Sequence, residues 1–272
     1  MTSLVDRLLP DELWQRIQPL LPAPPPRPRG GVPRRVPDRN CVAALVFMAR
    51  TSTLWSLLPA KELGCGSATT CWRHFDEWAK AGVFDHLRAL LLDELGAAGR
   101  IDLERVSVDS FSLRAVNGGD LTGANPVDRG KQGSKLHLAG ERGGLPLSLI
   151  LSVANANDAT MFEAVLDDIP AIRMPTGRRR RRPGKVHADK AYDHRRCRRY
   201  LRRRGIRPRI ARRLIESSTR LGRHRWTIER TGAWLGGFRR LRIRYERSSE
   251  RFYALAMLAC SVICFNALTQ PA

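Results

Sequence analysis

Hydrophobic and polar residues alternate with two different periods along this chain. In the first hundred residues, apolar side chains recur every three to four positions, which predicts a series of short helices. We expect these helices to begin at about Asp11, Asp38, Ser67 and Val83, with Asp38 and Ser67 as N-caps. The helix after Asp38 is apolar nearly all round, which favours a buried position.

A proline-rich stretch separates the first predicted helix from the second. Its sequence is PAPPPRPRGGVPRRVP, residues 22–37, and it predicts a stiff, basic linker because proline disrupts both helix and sheet. The period of the apolar residues changes near residue 100. We therefore predict two domains, a helical one at 1–98 that contains the linker and a second one at 104–272.

The third predicted helix presents two different faces. Trp72, Phe75 and Trp78 form an apolar stripe, and Arg73 is among the polar residues left toward solvent. Short helices joined by tight turns, one with an exposed polar face, are typical of a helix-turn-helix module, in which Arg73 would contact DNA. The alternative is a small bundle whose charged face meets only water. The 12 basic and 10 acidic residues of 1–99 do not decide between them.

From about residue 106 the apolar residues alternate with polar ones. The segments VSVDSFSL, SKLHLAG and LPLSLILSVAN predict an antiparallel meander, with a Gly-rich loop at 117–133. A helix capped by Asp158 is expected next, then a strand ending before Asp189, an arginine-rich helix, the short strand IRPRIA and a helix that carries Glu229. This order describes an α/β (α+β) fold with a ribonuclease H-like core.

Basic residues are concentrated in one part of the chain. The formal charge is +22, and residues 173–251 contain 29 basic and 6 acidic residues, a local +23. Such a field attracts polyanions, with nucleic acid as the first candidate and an acidic membrane surface as the second. The loop 174–184 contains Arg178, Arg179, Arg180, Arg181 and Arg182 in a row. We predict that this loop does not pack internally and that its arginines contact phosphates.

An apolar run near the end of the chain, residues 252–268, predicts a buried helix rather than a membrane span. No positively charged leader with an apolar core opens the sequence, and no cysteine pair has the CxxC spacing of a zinc site. The six cysteines are expected to be reduced and mostly buried, as in a cytoplasmic protein.

Three carboxylates lie on the predicted elements of the second domain. Asp109 is in the first strand, Asp189 follows the fourth strand, and Glu229 is on the last but one helix. An aspartate after a short strand is commonly only a helix cap. If these two strands pair in parallel, however, both aspartates emerge side by side and the glutamate helix packs across them. Three such carboxylates repel each other unless cations are present. Two Mg²⁺ ions, with Asp109 bridging them, would suit phosphodiester chemistry.

Several neighbouring residues are candidates for the same crevice. Arg225 lies one turn before Glu229, where it would orient the glutamate, grip a phosphate, or form a plain surface ion pair. Lys135, His137 and His187 are expected to point into the crevice, although a single histidine on a strand is more often structural. Two tryptophans at helical spacing are expected in the core rather than as base-stacking platforms, namely Trp226 and Trp234.

Three motifs resemble the DDE transposases of bacterial insertion sequences, above all the insertion sequence 5 group. They are VDS around Asp109, ADKAYD around Asp189 and RWTIERTGAWLGGFRRLRIRYER around Glu229. In that family the second aspartate precedes X-Gly/Ala-Tyr/Phe, matched by Lys190 to Tyr192, and an arginine stands four residues before the glutamate. Lys190 and Tyr192 are therefore also expected at the DNA.

The resemblance implies a ribonuclease H-like catalytic core and an N-terminal helical domain that recognises DNA ends. It further implies two Mg²⁺ ions, with Mn²⁺ as a substitute, held by the three carboxylates. The implied substrates are double-stranded DNA with terminal inverted repeats and a target DNA, on which a homo-oligomer acts in a synaptic complex.

The sequence departs from the family pattern in a few places. Gly232 stands where the family has Phe, Gly237 where a basic residue is common, and Asn157 where His is frequent. Each helical glycine costs about 1 kcal/mol relative to alanine. Two alternatives therefore stay open: an inactive, transposase-derived DNA-binding protein, and a ribonuclease H-like nuclease that performs no strand transfer.

Overall fold

The computed structural model describes residues 3–23, 36–213, 215 and 218–270, with the backbone alone for 218–225. The helices are α1 (Leu4–Leu8), α2 (Asp11–Ile17), α3 (Asp38–Thr51), α4 (Ala68–Lys80), α5 (Val83–Ala97), α6 (Asp158–Asp167), α7 (Arg195–Arg203), α8 (Ser218–Gly236) and α9 (Ser249–Thr269). The strands are β1 (Arg105–Ala115), β2 (Gly123–Ala124), β3 (Gln132–Gly140), β4 (Pro146–Val153), β5 (Ile172–Arg173), β6 (Arg179–Arg180), β7 (Lys185–Ala188), β8 (Arg207–Ile210) and β9 (Ile243–Arg244).

Strand β1 lies at the centre of a mixed sheet. On one side β3 and then β4 join it in antiparallel pairs, and on the other side β7 and then β8 join it in parallel. The short strands β2 and β9 extend the sheet beside β3 and beside the end of β1. The predicted antiparallel meander is confirmed, and it forms one mixed sheet with β7 and β8.

The N-terminal helices begin close to the predicted positions. Ser67 caps α4, because its hydroxyl accepts a hydrogen bond from the N–H of Thr70 at 3.1 Å. The predicted cap at Asp38 is wrong by one residue, since α3 begins at Asp38 and Pro37 holds the cap position. At the first position of α3, the carboxylate of Asp38 is still stabilised by the positive end of the helix dipole. The linker predicted at 22–37 lies mainly outside the described residues.

The apolar stripe predicted on α4 is only partly buried. Phe75 and Trp78 are buried in the core, whereas Trp72 is 37% exposed. The guanidinium of Arg251 lies over the Trp72 ring, 4.6 Å from its centroid. Trp72 thus forms a cation–π contact at the surface instead of packing into the core.

Helix α9 packs against α3, α4, α5 and β4. Nearly every side chain from Phe252 to Phe265 is buried, which confirms the predicted buried C-terminal helix. By length and composition α9 is apolar enough to cross a membrane, but 72% of its most apolar window is buried inside the protein. The first helices and the last one therefore share a core. The division into independent domains at residues 98–104 stays a prediction.

All six cysteines are buried free thiols. A hydrogen bond with Cys41, together with burial, raises the pKa of the Cys71 thiol to about 12. Burial alone is the main cause that raises the pKa of Cys260 to about 12. Because the thiolate is the reactive form, these cysteines serve packing rather than chemistry.

Candidate active site

Asp109 and Asp189 come from adjacent parallel strands. The register pairs Ser107 of β1 with His187 of β7, and each aspartate lies two residues further along its own chain. Side chains two residues apart share a face of the sheet, and neighbouring strands lie about 4.8 Å apart. Continued two residues beyond the last paired positions, this register puts both aspartates on one face of neighbouring strands, and His187 shares that face.

Hydrogen bonds from the backbone fix both carboxylates. Asp109 Oδ1 accepts the N–H of Ser110 at 2.8 Å, and Asp189 Oδ1 accepts the N–H of Ala191 at 2.9 Å. The second bond caps the short helical turn that follows β7. Asp189 is thus a helix cap, the common role of an aspartate after a short strand, and it is also the residue on the strand next to Asp109. Both side chains are half-buried, so they are oriented and still accessible.

Helix α8 crosses the same face of the sheet. The Thr227 hydroxyl lies 3.5 Å from that of Ser107, and the Thr231 hydroxyl donates to the carbonyl of Gly144 at 2.6 Å. Glu229 is exposed on the part of α8 turned away from these contacts. Within the described residues, no three His, Cys, Asp or Glu side chains lie close enough to hold one metal ion. The two aspartates thus lie on neighbouring strands, but Glu229 does not form a three-residue metal group with them. The side chain of Arg225 lies outside the described part.

Asp158 supports the strand that carries Asp109 from the opposite face of the sheet, a role that the sequence did not indicate. The cap of α6 is Asn157, whose Oδ1 accepts the N–H of Ala159 at 3.0 Å, so the predicted cap at Asp158 is wrong. Asp158 instead accepts hydrogen bonds from Ser110 Oγ at 2.8 Å and Lys135 Nζ at 3.0 Å. An Asn-Asp pair before a helix is the only signal in the sequence, because either residue can cap.

Lys135 and His137 do not reach the crevice. They pair in register with Ser112 and Ser110, and so lie on the face of the sheet opposite Asp109. His137 is fully buried, with Nε2 at 2.8 Å from a serine hydroxyl on β4, and Lys135 is 9% exposed. The expectation that both point at DNA is wrong, because each already has buried internal partners. Burial lowers the pKa of His137 to about 4.

Tyr192 fills the space behind the two aspartates. It is 1% exposed and its ring centroid lies 5.5 Å from that of Phe162. Burial, followed by the charges of Asp158, Asp109 and Asp189, raises the pKa of its hydroxyl. The expected DNA contact of Tyr192 is therefore wrong, since the residue supports the site from inside. Lys190, two positions earlier, is half-exposed, and its DNA contact stays a prediction.

Three arginines of the loop have partners within the protein, contrary to the prediction that the loop does not pack internally. Arg178 and Arg182 are exposed, and their phosphate contact stays a prediction. Strands β5 and β6 form a hairpin there. Arg179 pairs with Asp93 at 2.5 Å and Arg180 with Glu104 at 2.7 Å, while the guanidinium of Arg181 donates to a main-chain carbonyl at 3.1 Å. The acidic partners come from α5 and from the residue before β1, which local sequence does not indicate. The loop also leads into the amino end of β7, away from Asp189.

Helix α7 supplies a second basic surface that directly follows the aspartates. A groove on this helix is lined by arginines alone, namely Arg195, Arg198, Arg199, Arg202 and Arg203. Arg198 pairs with Asp193 at 2.6 Å. The other four are exposed, and none has an acidic partner among the residues that the structure describes. We call these four the α7 arginines. Arg73 on α4 is also exposed, and its DNA contact stays a prediction.

Two aspartates fixed on neighbouring strands, beside an arginine-lined helix, form an arrangement suited to phosphate chemistry. Comparison with known proteins identifies the family. Residues 9–88 match the family described as "Putative transposase of IS4/5 family", and residues 101–264 match the family described as "Transposase DDE domain". The chain belongs to the DDE transposases of the IS4/5 family, enzymes that cleave and join nucleic acid.

Two relatives from Burkholderia cepacia agree with this membership. The "Putative transposase for insertion sequence element IS402" is 48% identical over 149 residues, which are 55% of this chain and 71% of the relative. The "Insertion element IS402 uncharacterized 16.2 kDa protein" is 47% identical over 121 residues, which are 44% of this chain and 81% of the relative.

The chain is also weakly similar to two solved structures. One is a pre-cleavage Mos1 transpososome, with 11% identity, a TM-score of 0.28 and coverage of 96% of this chain and 87% of the other. The second is the Mos1 mariner paired end complex with Mn, with 10% identity, a TM-score of 0.25 and coverage of 90% and 81%. These scores are too low to transfer structural detail.

Proposed function

We propose that this transposase acts on double-stranded DNA, in the bacterial cytoplasm, as a homo-oligomer that brings two element ends together. It binds the terminal inverted repeats, hydrolyses the DNA at the element ends, and joins the freed 3′-hydroxyl to target DNA. The observation that carries the chemistry is the juxtaposition of Asp109 and Asp189 on adjacent parallel strands.

The two aspartates fit a divalent metal of the magnesium type. Both offer hard oxygen donors, and each is oriented by a backbone N–H. Mg²⁺ is commonly held by one or two protein carboxylates together with substrate phosphates. When bound, Mg²⁺ or Mn²⁺ lowers the pKa of an attacking water and stabilises the leaving oxygen. In this proposal Glu229 completes the ligand set once DNA is bound.

The chain's own residues hold the nucleic acid and the carboxylates in place. The α7 arginines follow Asp189 closely in the chain and would neutralise backbone phosphates beside the aspartates. Behind the sheet, Asp158 ties Ser110 to Lys135, so the strand segment that carries Asp109 is anchored from the opposite face. These hydrogen bonds help to hold the strand segment in place before any metal binds.

The N-terminal helices would recognise the element ends, with Arg73 at the DNA. Deleting residues 1–95 does not test this role, because α5 and α9 share a core. Arg73→Gln keeps that core intact, since Arg73 is exposed. We expect this variant to lose preference for inverted-repeat ends over unrelated duplex, while its non-specific binding falls little. Unchanged preference would remove Arg73 from the recognition surface.

The decisive experiment incubates the purified protein with an inverted-repeat duplex, a target plasmid and Mg²⁺. Asp189→Asn should abolish cleavage and leave DNA affinity equal or higher, because one negative charge is removed near phosphate. Glu250→Gln, at an exposed acid on α9, is the matched control and should cleave normally. Unchanged cleavage by Asp189→Asn would contradict the site.

The products of the wild-type protein separate the alternatives. End joining to the plasmid identifies transposition. Cleavage without joining identifies a nuclease, and binding without cleavage identifies a DNA-binding relic.

A further inference from the structure

Helix α8 carries an exposed ladder of two tryptophans with an arginine between them. The guanidinium of Arg230 lies 4.7 Å from the ring centroid of Trp226 and 4.9 Å from that of Trp234. The three residues are four positions apart, so they line one flank of the helix. Such a stack holds both indole rings in a fixed orientation.

Both tryptophans lie at the surface, so their predicted place in the core is wrong. Trp226 is 50% exposed and Trp234 is 36% exposed. The residues of α8 that pack on the sheet are instead Thr227, Ile228, Thr231 and Leu235, all of which are buried. Helical spacing alone did not indicate which of these two stripes would face the sheet. Large exposed aromatic rings held in one orientation are typical of a binding surface.

A groove of about 610 Å³ borders this ladder. It is lined by the ladder together with Arg100, Arg105 and Arg142, and by two acids, Asp102 and Glu141. Arg142 pairs with Asp102 at 3.1 Å, and burial raises the pKa of Glu141. The groove contains four arginines, including Arg230, and two acids. Its net positive charge favours binding of an anion. We call it the tryptophan groove.

The tryptophan groove is separate from the aspartates. Asp102 and Arg105 lie just before and at the amino end of β1, whereas Asp109 lies further along that strand on the way to its carboxyl end. On α8, Glu229 lies about 60° around the helix from Trp226 and further from Arg230 and Trp234. A ligand in this groove would therefore lie beside the candidate catalytic residues, toward the amino end of β1.

We propose that the tryptophan groove binds an unpaired nucleotide of DNA. The base stacks on an exposed indole ring and the adjoining phosphates contact the groove's arginines. Aromatic stacking beside cationic side chains is how proteins hold single strands without reading sequence. A paired base inside a duplex shows no free face, so the groove should select single-stranded segments. This inference relies on the proposed function only in taking DNA as the polymer.

A second copy of this chain is a less suitable occupant. A symmetric contact would place the groove of one copy against the groove of another. The four arginines of each groove would then face four like charges, which opposes association. A polyanion with flat aromatic groups satisfies both the charge and the rings.

The test measures binding of a fluorescent 12-nucleotide oligothymidine strand by anisotropy, in EDTA, so that catalysis plays no part. Trp226→Ala and Trp234→Ala should each weaken binding about five- to one-hundredfold. Trp226→Phe should recover part of the loss, because it restores a ring. The matched control is Trp72→Ala, since Trp72 is exposed to the same extent as Trp234 and also carries an arginine over its ring, but on α4. It should change binding less than twofold.

An abasic strand of the same length separates stacking from charge. It keeps the phosphates and removes the bases, so wild type and Trp226→Ala should bind it equally. The inference is overturned if the tryptophan variants bind oligothymidine like wild type, or if they lose abasic binding to the same extent. It is also overturned if Trp226→Ala alters only self-association, seen by sedimentation. Far-ultraviolet circular dichroism of each variant checks folding. A failure here leaves cleavage by wild type untouched, so it does not reflect on the catalytic assignment.

Discussion

Two arginine-rich segments of this chain look alike in sequence and differ in structure. In the loop 178–182, Arg179 and Arg180 have carboxylate partners from elsewhere in the chain, and Arg181 has main-chain partners. On α7, four arginines are exposed and have no acidic partner within the described structure. Three of the five loop arginines are thus bound within the fold, whereas α7 offers unneutralised positive charge beside the candidate active site. Charge therefore indicates a nucleic-acid surface only once its internal partners are known.

The largest expected effect comes from the α7 arginines. We expect replacement of all four with glutamine to make the plot of log binding constant against log salt less steep. Its negative slope should shrink in magnitude by about 3.6 if each arginine contacts one phosphate of duplex DNA. At 0.1 M salt this corresponds to roughly a thousandfold loss of affinity. Salt titrations followed by fluorescence anisotropy measure both quantities. A slope equal to that of wild type would show that DNA binds another surface. The contrast between the loop 178–182 and α7 would then not hold.

The ion pair between Asp158 and Lys135 should matter next, and for stability rather than for DNA affinity. Asp158→Ala leaves the ammonium of Lys135, which is 11% exposed in its side chain, without its counter-charge. Removing one partner of a buried pair costs roughly 3 kcal/mol. Urea unfolding at neutral pH measures this loss, and Asp158→Asn should lose less because it keeps an acceptor for Ser110. A loss near zero would show that the pair is screened by water.

The same buried cluster should make stability depend on pH. The pKa of His137 is lowered to about 4 by burial, whereas in the unfolded chain it is near 6.5. Between these values the unfolded chain binds a proton that the folded protein excludes, so stability is lost as pH falls. The expected slope is about 1.4 kcal/mol per pH unit for this one group.

Urea unfolding at several pH values between 4 and 7 checks this slope. His137→Asn should flatten the dependence, whereas His86→Gln, at an exposed histidine on α5, should leave it unchanged. If the two variants behave alike, the buried histidine does not govern acid sensitivity.

The smallest expected effect belongs to the loop. Arg179→Gln removes an ion pair whose arginine side chain is 58% exposed, so the loss of stability should be about 0.5 kcal/mol. Its slope against salt should equal that of wild type. A slope change as large as that of one α7 arginine would show that loop and helix contact DNA in the same way.

Much of the catalytic scaffold could be predicted from the sequence, because the signals are local. Alternation of apolar residues predicted β1, β3 and β4, and a short apolar run predicted β7. Parallel pairing of β1 with β7 then juxtaposed Asp109 and Asp189. The partners of charged groups could not be predicted, since Asp93 and Glu104 are distant in sequence from the arginines that they neutralise.

The same limit explains the misplaced residues. Lys135 and His137 were correctly assigned to one face of β3, but which face meets the aspartates depends on the register with β1. The role of Asp158 could not be predicted, because Asn157 and Asp158 are both suited to cap α6 and the sequence does not show which of them does. Trp226 and Trp234 lie on the flank of α8 that tertiary packing leaves exposed.

Shared metal binding by Asp109 and Asp189 is the central claim. It is tested most directly by counting Mn²⁺ ions bound to the protein–DNA complex with electron paramagnetic resonance. We predict that Asp109→Asn and Asp189→Asn each lower the number of bound Mn²⁺ ions, whereas Glu250→Gln, at an exposed acid on α9, leaves it unchanged. Equal Mn²⁺ occupancy in wild type and in both aspartate variants would contradict the claim.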